Sequence, residues 1–73
     1  MYKTGTDVKA ALAKRNLTKL WLLNQLAHSE SQWQMSAPTL SAILSDGYGK
    51  KEMAEAVIAD AGKILDRYDS IMS

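Results

Sequence analysis

This chain of 73 residues contains no cysteine, and that absence decides what can hold it together. A chain so short buries only about 60% of the surface that its unfolded form exposes. Small folds commonly add disulfides or a structural metal to make up the difference. Without thiols, neither a disulfide nor a Cys-ligated zinc site can form. The single histidine, His28, cannot build a His-based site alone. Apolar packing must therefore supply the stability, and the material is present: 47% of the residues are hydrophobic and 23% charged, proportions of a soluble globular protein. The length leaves room for one domain, residues 1–73.

The apolar residues recur with helical rather than strand spacing. Phenylalanine is absent, and no stretch alternates for long with period two. Four helices are expected. The first covers about 7–15, capped by Thr6 or Asp7, with Val8, Ala11 and Leu12 on one face and Asn16 ending it in the left-handed conformation. Leu17 then folds back on Leu12. The second starts after Thr18 and reaches about His28, with Leu22, Leu23 and Leu26 as its stripe; Leu20 and Trp21 widen that stripe. Residues 29–35 either extend it by a turn or form an irregular connection.

The third helix opens at Ser36-Ala37-Pro38, where proline is tolerated because first-turn amides lack partners anyway. It buries Leu40, Ile43 and Leu44 and stops at Asp46-Gly47, with the glycine supplying positive φ. The fourth runs from about 50 to 70. Its stripe extends from Met53 through Val57, Ile58, Ala61, Leu65 and Tyr68 to Ile71 and Met72. Gly62 is its weak point, so residues 62–73 are either a C-terminal extension of that helix or a separate short one. The fold class is thus all-α, a compact bundle of four to five helices. Leu12, Leu22, Leu26, Leu40, Ile43, Leu44, Val57 and Ile58 form its core.

Catalytic constellations are missing. A Ser-His-Asp grouping would have to be built on His28, which reads better as a solvated or capping residue at a helix C-terminus. Gly47-Tyr48-Gly49 reads as a turn, since the rest of a phosphate-loop pattern is absent. Asp66 and Asp69, three apart on a helix with Arg67 between them, read as a solvated face. No enzyme activity, metal or cofactor is expected. No apolar run approaches the roughly 18 residues of a membrane helix, and the N-terminal Tyr2-Lys3-Thr4-Gly5-Thr6 has no signal-peptide character. A cytoplasmic location is expected.

The segment Asn16-Leu17-Thr18-Lys19-Leu20-Trp21-Leu22-Leu23-Asn24-Gln25-Leu26-Ala27 resembles the first half of the helix-turn-helix in the Cro/CI-like (Xre) family. The segment from Ser36 to Gly47 resembles the second half, and residues 7–15 resemble the family's first helix. The resemblance covers about 7–60 and is nearest to small phage and prophage regulators of Gram-positive bacteria. It departs from the family in three places. Lys19 replaces the usual glutamine after the first threonine, and the turn between the half-motifs is longer. The third helix, between Ser36 and Ser45, has no Arg, Lys, Asn or Gln, the side chains that best read base edges.

The resemblance implies a helix-turn-helix with an extended turn, and a transcription regulator in a lysis–lysogeny type switch in a bacterial host cell. It would bind double-stranded operator DNA in a Cro-like way, as a possible homodimer on two half-sites. Lys14, Arg15, Lys19, Lys50 and Lys51 would contact phosphates while Ser36, Thr39 and Ser41 face the groove. Residues 1–49 hold five basic and three acidic side chains against four and five in 50–73, a small basic excess where a strong DNA binder usually shows a basic footprint. The alternative is an antirepressor or modulator that uses the same fold to bind the phage repressor protein. Trp33, Met35, Ala37 and Ala42 would then form its contact surface.

Overall fold

A computed structural model describes residues 2–72. Within them the chain forms four α-helices and no strand: α1 (Gly5–Lys14), α2 (Lys19–Ala27), α3 (Ala37–Leu44) and α4 (Lys51–Met72). Local chemistry explains the boundaries. Helix α1 begins earlier than expected, because Thr4 rather than Thr6 or Asp7 is its N-cap. The Thr4 hydroxyl accepts the Asp7 N–H at 3.2 Å, and the Asp7 carboxylate accepts the Thr4 N–H at 3.2 Å. This reciprocal box satisfies two amides that would otherwise lack partners. At the other end Asn16 adopts φ 57°, and Leu17 N–H reaches back to the Leu12 carbonyl at 2.9 Å, the stop expected for this helix.

Thr18 caps α2 by accepting the Trp21 N–H at 3.0 Å. The segment after α2 is irregular but anchored: Trp33 N–H donates to the Leu26 carbonyl at 3.1 Å, and the Ser29 hydroxyl donates to the same carbonyl at 2.6 Å. Ser36 caps α3, with Pro38 in its first turn. The end of α3 differs from expectation in one respect. Asp46, not Gly47, takes positive φ (59°), and no glycine among the described residues does so. Aspartate tolerates that conformation better than most side chains, and here its carboxylate has a second use described below. Gly62 does not interrupt α4; the ring of Tyr2 lies over it, where a Cβ would come within 3.0 Å of Tyr2 Cδ2.

Helices α1 and α2 each pack on both α3 and α4. Every residue expected in the core is buried, and Val8, Ala11, Ala61 and Leu65 join them. The molecule measures 36 × 22 × 19 Å. Its long axis is set by α4, whose 22 residues span about 33 Å at 1.5 Å per residue. The other helices have only 8 to 10 residues, so α4 outruns them. The expected stripe therefore fails at its end: Tyr68 stacks edge-on against Trp21 at 5.5 Å, but Ile71 and Met72 remain 73% and 67% exposed. Leu20 is also exposed rather than covered. No helix among the described residues is long and apolar enough to cross a membrane.

Candidate nucleic-acid interface

The exposed surface of α3 is built from small and hydroxyl side chains, because its large residues, Leu40, Ile43 and Leu44, all turn inward. Ser36 and Thr39 are one helical turn apart, and their hydroxyls lie 3.0 Å from each other. Ser41 is half-buried beside the start of α2, where Lys19 Nζ donates to its hydroxyl at 3.2 Å. The candidate groups thus come together in two pairs, Ser36 with Thr39 at the start of α3 and Lys19 of α2 with Ser41 further along it. Ala37 is exposed and Ala42 half-buried on the same helix. Lys50 and Lys51 are exposed where α4 begins, a helix end that favours anions.

Arg15 does not join them. Its Nε donates to Asp69 Oδ1 at 2.7 Å, its NH2 group donates to Asp69 Oδ2 at 2.6 Å, and its NH1 group donates to the Ala11 carbonyl at 2.9 Å. The guanidinium is thereby committed to holding the end of α1 on α4. Hydrogen bonding to Asp69 raises the pKa of Arg15 further above its ordinary value, and the same bond holds the Asp69 carboxyl below the usual carboxylate range. Asp69 is 18 positions along α4 from Lys51, or about 27 Å. The five cations expected to flank α3 therefore do not form one cluster. Lys14 is exposed in the last turn of α1.

Trp33 and Met35 are half-buried against the core instead of projecting from the turn. The Trp33 indole N–H donates to Asp60 at 2.6 Å, which fixes the connection to α4. His28 follows α2 as its C-cap, exposed, with Nδ1 3.1 Å from the Asn24 carbonyl. No three His, Asp or Glu side chains converge to hold a metal among the described residues.

Asp46 is the polar residue with the most consequential placement, and the spacing of the sequence did not single it out. Its carboxylate accepts the Gly5 N–H at 2.6 Å, the Thr6 N–H at 3.2 Å and the Thr6 hydroxyl at 2.9 Å. These bonds, the Gly5 amide foremost, hold its pKa below the ordinary value. Gly5 makes the approach possible, since a Cβ there would overlap the Ile43 carbonyl oxygen. The Thr4-x-x-Asp7 spacing fits the observed cap but says nothing about this partner. Comparison with protein-family models, with curated proteins and with solved structures gives no match.

Proposed function

We propose that this protein is a small phage-type helix-turn-helix transcription regulator that binds operator DNA in a Cro-like way. In this reading α2 and α3 are the two helices of the motif and residues 28–36 are its extended turn. The observation that carries the reading is the Lys19–Ser41 bond, which sets a cation at the start of α2 beside α3. A helix lying in a major groove needs this arrangement, with its polar face on the base edges and the first turn of its neighbour on the phosphates. Ser36, Thr39 and Ser41 can donate to bases or phosphates, and Lys50 and Lys51 extend the contact at the far side of α3. Lys14 adds charge from α1, while Arg15 serves the fold.

A second reading, a modulator that binds the phage repressor protein, is supported by the composition of the α3 surface. Ala37, Ala42 and the serines allow another helix to approach closely, and none of them is a strong reader of base edges. Trp33 and Met35 contribute less to such a surface than their types suggest, being packed against the core.

A titration of the purified protein against its own flanking intergenic DNA at about 0.1 M salt, with and without the neighbouring repressor, tests both. Few base-reading side chains predict weak binding by the protein alone, in the range of non-specific contact, about 10⁻⁴–10⁻⁶ M. Binding that requires the repressor, or occurs to the repressor without DNA, decides for the second reading.

A further inference from the structure

An uncovered apolar surface lies away from α3, between α2 and the C-terminal half of α4. Trp21, Ile64, Tyr68 and Ile71 line a groove of about 260 Å³ there, with Gln25 and Arg67 at its edges. That is below the roughly 300–1,000 Å³ of pockets that enclose small ligands, but it is open along its length and suits a row of side chains. From Ile64 to Ile71 is seven residues, or about 10 Å of helix. A helix laid alongside with apolar residues at i, i+4 and i+7 covers the same distance.

Charge identifies the occupant. Helix α2 carries no acidic residue. The acids of the C-terminal half of α4 are engaged or face elsewhere. Asp60 accepts from Trp33, and Asp69 accepts from Arg15. Asp66 is exposed and does not line the groove. The edge of the groove therefore offers Arg67, with Lys63 one turn earlier, and neither makes an ion pair among the described residues. A second copy of this chain would set cationic edge against cationic edge, which opposes pairing. We propose that this groove docks an amphipathic helix of another protein, one that presents apolar anchors flanked by carboxylates. The proposal does not rest on the DNA-binding reading, because the groove and the α3 surface share no residue.

The test uses the full chain, ¹⁵N-labelled, titrated with two synthetic helical peptides. Both carry leucine at i, i+4 and i+7; one has glutamate at the flanking positions and the other lysine. The glutamate peptide is expected to shift the Trp21 indole and Ile71 signals while the Trp33 indole signal stays in place as an internal control. It should bind at least about fivefold more tightly than the lysine peptide. Arg67→Glu should reverse that order, and Ile71→Ser should weaken both peptides. Both positions are exposed, so an unchanged thermal melt shows that the variants remain folded. Equal binding of the two peptides, or no movement of the Trp21 and Ile71 signals, overturns the proposal. So does a concentration-dependent dimer in sedimentation that Ile71→Ser dissolves, which would assign the groove to a second copy.

Discussion

Asp46, the first residue beyond the cap of α3, accepts the Gly5 N–H at 2.6 Å and so joins the end of one helix to the start of another. The first amides of α1 point at a carboxylate 41 positions away, which suits both their hydrogen-bonding need and the positive end of the helix dipole. Asp7 lies in the same first turn, its pKa lowered by the Lys3 and Thr4 amides. Asp69 is lowered by Arg15. Each of these three carboxyls therefore binds its proton less readily in the folded state than in the unfolded one. Their stabilisation is fully present above the ordinary value of 3.8 and is lost as the pH falls through the lowered folded values.

The melting temperature is accordingly expected to hold between about pH 5 and 7 and to fall steadily below about pH 4. Asp46→Asn should lower it at neutral pH and make its acid decline shallower. A variant whose acid decline matches that of the parent would show that Asp46 does not contribute to it.

The same junction makes a contrast between two glycines. Gly5 is buried, with the Ile43 carbonyl and the Leu44 Cα where its side chain would be, whereas Gly49 has nothing within 4 Å. Gly5→Ala must push α1 away from α3 and should cost about 1–3 kcal/mol or more. Gly49→Ala is expected to be neutral or to stabilise by about 0.4–1 kcal/mol through the unfolded state. Chemical denaturation of both variants tests the pair, and equal effects would contradict the packing described here.

Core and surface leucines should separate just as clearly. Leu44 is 1% exposed and Leu20 63%. Leu44→Ala should cost roughly 2–5 kcal/mol, whereas Leu20→Ala should stay within about 0.5 kcal/mol of the parent. A small loss at Leu44 would mean that α3 does not pack as described.

The contrast between local and distant signals explains what could be read from the chain. Thr18, Ser36 and Asn16 were legible as helix boundaries because each acts on amides or carbonyls within a few residues. The core was legible because helical spacing decides which side chains share a face. Gly5 and Asp46 were not, since their roles come from a contact across 41 positions that no local pattern encodes. Arg15 likewise depends on a distant partner. As a basic residue in a last helical turn it suited a phosphate contact, but its partner Asp69 is 54 positions away. Trp33 looked like an anchor in a polar turn until Asp60, on α4, took its indole N–H. Of the candidate interface, the part linking neighbouring helices came together, as Lys19 and Ser41 show. The part that depended on where the long α4 ends did not.

Arg15 and Lys19 therefore provide the sharpest test of the DNA-binding reading. Both are basic and close in sequence, but Arg15 is held by Asp69 through two parallel bonds while Lys19 makes one bond to a hydroxyl that a phosphate can replace. Lys19→Ala and Lys51→Ala should each weaken binding to all DNA sequences and reduce the salt slope by about 1. Arg15→Ala should leave the salt slope unchanged and lower the melting temperature instead. Arg15→Lys should not restore it, because an ammonium cannot reproduce the paired geometry. Binding measured between 50 and 200 mM salt, about the range over which such contacts are lost, distinguishes these outcomes. A slope reduced by Arg15→Ala but not by Lys19→Ala would move the interface away from α3 and end this reading.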